Sequence, residues 1–396
     1  MTRRGFPWTG TLVLSSLMFL AITSEYLPTG LLPEIAQNLR VTDPQVGILV
    51  TTFAITVIIS SWPLTTLTRR VPRKPLLIWA LAGFALGNVL AAIAINYEFL
   101  FAARVITGLA QGLFSAVGGA YVSHLVPKEQ LSRAVAIVAG GASAAFVLGV
   151  PLGTLLGHAV GWRAAFAVAG AIVVPLAVLA VIRLPAVDHR THETTDANPV
   201  PLRRDPTFAG IALVCAIIIV IMLGQNTLYT YIAPFLIRIG AVPPGQVGLA
   251  LLLYGVAGVI GLVIAGILGE RFPRHGVTGV TVCLAVIIAG LALGAGIPWF
   301  LIACLVLWGA AIGSVSVMLQ TQMLHWASPR LRDLAASSLA TAYNIAIAGG
   351  ALLGAYLVDR HGLSPLPWAD LAFVVAAILL IIVSDRVVRR RVLADA

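Results

Sequence analysis

Two residues of this chain stand where charge is costly. Glu25 and Arg104 each lie inside a long apolar run. An ionised side chain at that depth costs at least ~2.5 kcal/mol on insertion scales, and such groups mark proton relays, ion paths and ligand counter-ions. Glu25 reads as the only acidic residue deep within such a run. At 1.5 Å per residue it lies roughly 12 Å from the helix end near Pro33, and Arg104 lies roughly 9 Å from the end near Glu98. Similar depths allow them to interact, directly or through water. Loss of water favours the neutral acid and a nearby guanidinium favours the carboxylate, so the pair could take up and release a proton. A permanent structural ion pair is the alternative. A second cluster, Gln225, Asn226, Thr227, Tyr229, Thr230 and Tyr231, is unusually polar for its apolar setting. Its amides and hydroxyls suit substrate hydrogen bonds, or equally the polar contacts that hold helices together in lipid. Gln111, Tyr343 and Asn344 are isolated groups of the same kind, and Tyr26 and Phe146 could line an apolar wall.

The elements that must position these groups are spans. Apolar runs recur at 9–32, 44–67, 75–95, 99–123, 132–157, 163–184, 208–236, 245–268, 276–296, 298–322, 335–358 and 368–384. Each is close to the roughly 20 residues a helix needs to cross a bilayer, and none alternates as a barrel strand would. The chain is 59% hydrophobic and 10% charged. That composition excludes a soluble globular fold, since no core could hide it. The net charge of +10 does not indicate nucleic acid. With the N-terminus placed inside, 20 of the 25 Lys and Arg residues fall on the cytoplasmic side. Four fall outside (Arg40, Arg163, Arg238 and Arg360) and Arg104 lies within a span. The positive-inside bias therefore predicts an inner-membrane protein with both termini cytoplasmic and an even number of spans. Arg3 and Arg4 ahead of the first run read as the flank of an uncleaved span, not a signal peptide.

Residues 185–206, with Asp188, Arg190, Glu193, Asp196, Pro199, Pro201, Arg203 and Arg204, are the one long polar stretch, a solvated linker between residues 1–184 and 207–396. An internal repeat supports that division. A shift of 201 residues brings Gln45-Val46-Gly47 onto Gln246-Val247-Gly248, Gly108 and Gly112 onto Gly309 and Gly313, and Gly149 and Gly153 onto Gly350 and Gly354. The expectation is an all-α membrane protein of 12 transmembrane helices in two pseudo-symmetric six-helix bundles. In such parallel repeats the binding site lies near the midplane between the halves. Glu25 falls on Asn226 in this register, a titratable group against a fixed amide.

Gly149, Gly153 and Gly157 in span 5, with Gly161 just beyond it, recur every four residues and place small residues on one helix face, for close packing or for sliding, and Pro151 removes a backbone hydrogen bond there. The basic loops after spans 2 and 8, with Arg70, Arg73, Arg271 and Arg274, could latch helix ends or serve as topology anchors alone. Cys215, Cys283 and Cys304 lie in apolar runs without metal-ligand spacing. No HExxH, GxSxG or phosphate-binding loop is present, so neither an enzyme nor an ATP-driven pump is expected.

These motifs carry a family likeness. Leu67–Lys74 (LTRRVPRK) and Leu268–His275 (LGERFPRH) resemble the paired loop motifs of the major facilitator superfamily. Arg104 with Gly108 and Gly112 resembles its span-4 motif. Gly140, Gly149, Pro151 and Gly153 resemble the span-5 motif of its antiporter branch. Glu25, Pro28, Gly30 and Pro33 resemble the first span of the twelve-helix drug:proton antiporters, and especially the sugar, nucleoside and chloramphenicol efflux proteins. The chain departs from the loop motif at Arg69, where an Asp is usual; Glu270 fills that place in the second copy. The resemblance implies helices 1 and 4 lining a central cavity and cytoplasmic latches at Arg70, Arg73, Glu270, Arg271 and Arg274. It also implies proton-coupled efflux of a small organic molecule by alternating access, in a monomer that needs the proton gradient, the lipid bilayer and no cofactor or nucleic acid. An uptake symporter or uniporter on the same fold, and a transport-inactive membrane sensor, are the alternatives.

Overall fold

The computed structural model describes residues 6–68, 71–126, 130–185, 207–271, 276–326 and 331–394. Twelve helices among them are long and apolar enough to cross a membrane. They are Trp8–Gly30, Asp43–Leu67, Arg73–Ala92, Tyr97–Gly118, Arg133–Val160 and Trp162–Arg183 (spans 1–6), then Phe208–Tyr229, Pro244–Ile267, Gly276–Leu293, Pro298–Met323, Leu334–His361 and Leu366–Val383 (spans 7–12). No strand occurs among the described residues. Large apolar side chains point outward along these helices, with Trp62 76% and Trp299 73% exposed, the pattern of a fold whose solvent is lipid.

The 201-residue repeat is built into the backbone. Span 1 breaks at Leu31 and continues as the short helix Leu32–Leu39; span 7 breaks at Thr230–Tyr231 and continues as Ile232–Arg238. Arg40 caps the first of these short helices and Ala241 lies three residues beyond the second; 201 residues apart, both have positive φ, 56° and 51°. They are the two described non-glycine residues in that conformation. Span 2 then starts on a capping box: Thr42 Oγ1 accepts from the Gln45 amide, and Gln45 Oε1 accepts from the Thr42 amide at 2.8 Å.

The chain divides into two compact units, 1–195 with 244–252, and 196–243 with 253–396. In the first unit span 5 lies close against span 1. A Cβ added at Gly149 would strike Thr23 Oγ1, and one at Gly153 would strike Leu27. Just ahead of Pro151, which cannot donate to the preceding turn, the helix widens to a π-turn over Ala145–Gly149. The second unit repeats this packing. A Cβ at Gly350 would lie 2.6 Å from the Leu223 carbonyl and 2.8 Å from Asn226 Cβ. Likewise Gly108 packs on Phe53 and Thr56 of span 2, and Gly309 on Tyr254 of span 8.

Gly149→Val should therefore destabilise the fold by ~1–3 kcal/mol, the range for overpacking a filled contact. At Gly140 an added Cβ meets nothing within 4 Å, so Gly140→Ala should leave stability unchanged. Thermal unfolding of the two variants in detergent checks the contrast.

Candidate functional site

The first site starts from a missing hydrogen. Pro28 has no N–H, so the Ser24 carbonyl one turn earlier lacks its helical donor. Arg104 of span 4 supplies one. Its Nη1 donates to Ser24 O at 2.7 Å, and its Nη2 donates to Glu25 O at 2.9 Å. Phe53 of span 2 covers the guanidinium, with the ring centroid 4.6 Å away. The arginine is 1% exposed. Ser24 Oγ donates to Asn88 Oδ1 at 2.9 Å, and Asn88 Nδ2 donates to Phe84 O, which ties span 3 into the network.

The Glu25 side chain shares this buried site, 3% exposed. Among the described residues no guanidinium–carboxylate pair joins it to Arg104; the arginine spends two donors on main-chain carbonyls. Glu25 Oε1 and Arg104 Nε are both buried without a protein partner. The carboxyl is thus held beside a fixed positive charge without being locked to it. That arrangement lets the group change protonation state without breaking an ion pair. Tyr26, the next residue along span 1, packs on Phe146 with ring centroids 4.9 Å apart, and Gln111 is buried with Oε1 unpartnered.

The second site lies within the second unit. Gln225 Nε2 donates to Tyr254 Oη at 3.3 Å, and Asn226 Nδ2 donates to Gln225 Oε1 at 3.3 Å and to Met222 O at 2.8 Å. Tyr229, Tyr254 and Trp308 pack as a triad with centroids 5.1, 5.3 and 6.1 Å apart. Tyr231 instead donates to the Ala351 carbonyl at 3.2 Å and braces span 11. Tyr343 and Asn344 are partly exposed, and Asn344 Nδ2 donates to Ala340 O in its own helix.

The gating candidates are partly outside this picture. Arg70, Arg274 and the linker from residue 186 to 206 lie outside the described residues, and Glu270 is described only as part of the helix Val247–Arg271. Arg73 opens the span-3 helix; its neighbour Lys74 donates to the Val181 carbonyl of span 6 at 2.7 Å. Arg271 is exposed at the end of its helix.

Several features of these candidate sites were not singled out in the sequence. Phe53 and Tyr254 are aromatics in apolar runs, without local signal, but the 201-residue register pairs them. His158 Nδ1 lies 2.7 Å from Glu34 Oε1, joining the end of span 5 to the helix Leu32–Leu39. Asp370 corrects the reading of Glu25 as the only deep acid. It lies within the span-12 helix, is 1% exposed, and neither carboxyl oxygen has a protein partner.

Comparison with known proteins agrees with this architecture. The Major Facilitator Superfamily profile matches residues 14–241 and 214–393. A probable sugar efflux transporter of Helicobacter pylori (strain ATCC 700392 / 26695) is 31% identical over 351 residues, 89% of this chain and 88% of its own. A protein of the same description from Mannheimia succiniciproducens is 32% identical over 353 residues, with 89% and 88% covered. Among solved structures, a bacterial homolog of the human lysosomal transporter Spinster superposes with a TM-score of 0.74 over 97% of both chains at 15% identity, a likeness of fold.

Proposed function

The chain belongs to the Major Facilitator Superfamily of transporters, and from that premise we propose that it exports a small organic solute of the sugar class in exchange for protons. The observation that carries the proposal is the Glu25 carboxyl, buried beside Arg104 yet free of an ion pair with it. Protonated, Glu25 is neutral and leaves the Arg104 charge unbalanced. Ionised, it balances that charge. Substrate that draws on the same polar groups shifts the balance, so proton and solute exchange places during alternating access. The relatives described as probable sugar efflux transporters support the solute class and the direction.

The polar cluster on span 7 holds the solute in this account. Gln225 and Asn226 offer amide donors and acceptors, and Tyr229, Tyr254 and Trp308 offer flat faces suited to a sugar ring. The positive-inside bias of the loops supports an inner-membrane protein with both termini in the cytoplasm. The proton gradient supplies the energy, no cofactor takes part, and one copy of the chain suffices. No enzymatic step is assigned.

The proposal is tested in proteoliposomes with labelled mono- and disaccharides under an imposed pH gradient. Antiport predicts that sugar accumulates against its own gradient on the acidic side. Accumulation on the alkaline side would indicate symport, and mere equilibration would indicate a uniporter. Gln225→Ala should raise KM for the transported sugar about tenfold, the scale of one or two lost hydrogen bonds, and leave the direction of coupling unchanged.

A further inference from the structure

Asp370 is a buried carboxyl that the exchange mechanism does not use. Four residues into the span-12 helix, it faces span 7 at Gly224, where an added Cβ would lie 2.7 Å from Oδ1 and 2.8 Å from Phe373 Cβ. Gly224 directly precedes Gln225 and Asn226 of the solute cluster. Both Asp370 oxygens are buried with no donor among the described residues. The titratable group that interacts with it is Tyr254 of span 8, itself beside Tyr229 of span 7. Cys283 of span 9 is exposed, as are Tyr356, Asp359, Arg360 and His361 at the adjoining end of span 11. No described cation lies against the carboxyl.

An ionised carboxylate in such a crevice would forfeit its hydration with nothing in return, whereas the neutral acid forfeits little. A metal cation in its place would need several oxygen ligands, and the neighbouring Gly224, Phe373 and Tyr254 do not form such a set. We propose that Asp370 is a proton-binding site of the C-terminal unit whose proton stays bound through the cycle, and that its loss at alkaline pH stops transport. The proton exchanged for solute remains that of Glu25. The coupling to activity is steric. At Gly224 there is no room to hydrate an ionised Asp370 unless span 12 moves off span 7, and that movement reaches Gln225 and Asn226.

The claim that alkaline pH stops transport rests on the transport reading; protonation itself is testable without a solute. Infrared spectra of the full chain in lipid should show a protonated-carboxyl band at neutral pH that disappears on alkalinisation. Asp370→Asn should lack it and Glu25→Gln should keep it. Asp370→Glu, should the amide variant not fold, should shift the same band. Counterflow of a transported sugar should fall about tenfold per pH unit beyond the midpoint in the wild type, as the protonated fraction does. It should stay level in Asp370→Asn. Three results would each overturn the proposal: an Asp370 ionised at neutral pH, one protonated throughout the alkaline range, or an alkaline decline that persists in Asp370→Asn. A failure of every sugar to be carried would overturn the transport reading and leave the infrared result to stand or fall alone.

Discussion

Glu25→Gln is expected to abolish proton-driven accumulation of solute while leaving the protein folded and able to exchange solute across the membrane. The amide matches the neutral acid in shape and polarity, so the Arg104 contacts to Ser24 O and Glu25 O are untouched. Only the ability to lose a proton is removed. Uphill transport should therefore fall to the level of empty vesicles, and counterflow, which needs no net proton movement, should remain within about threefold of wild type, less than 1 kcal/mol of barrier change. Measuring accumulation and counterflow on the same vesicles separates loss of coupling from loss of the carrier.

Arg104→Lys should cost nearly as much as Arg104→Leu, by a different route. The guanidinium reaches two carbonyls at 2.7 and 2.9 Å and lies on the Phe53 ring. An ammonium is a point charge without that fork, so it can keep the charge but not the geometry. Leucine leaves the Ser24 carbonyl, already deprived of a donor by Pro28, unsatisfied in an apolar site, at about 1–3 kcal/mol. The expected result is a fall of at least about tenfold in coupled transport for both variants, equivalent to about 1.4 kcal/mol or more. The thermal midpoint should fall further for leucine than for lysine. Transport rates and detergent unfolding curves provide the check. Equal activity of the lysine variant and wild type would show that charge alone suffices.

Much of this was legible in the sequence because lipid imposes simple rules. Each span must be long and apolar, so the twelve helices stand out, and a charge among them stands out more. The matching depths of Glu25 and Arg104 pointed to one shared site. What the pattern did not show is which atoms meet. That depended on Pro28, whose missing N–H redirects the arginine to the backbone; a proline four residues after Ser24 was the available signal. Asp370 escaped because it follows the polar turn Ser364-Pro365-Leu366-Pro367, where helix ends are hardest to place. Its burial comes from packing against Gly224, 146 positions away, which periodicity within one helix cannot reveal. The Glu34–His158 pair was hidden for the same reason. The repeat was the stronger guide: Arg40 and Ala241, Phe53 and Tyr254, and Gly149 and Gly350 occupy equivalent places in their own units.

The central claim, that Glu25 carries the proton exchanged for solute, is tested most directly by following proton movement itself. Proteoliposomes loaded with a transported sugar and a pH-reporting dye are diluted into sugar-free buffer, with no pH gradient imposed. Sugar leaving down its gradient should draw protons in through the wild-type protein and acidify the lumen. In Glu25→Gln the sugar should still redistribute and the lumen pH should stay flat. Acidification that persists in Glu25→Gln, at the wild-type ratio of protons to sugar, would contradict the account.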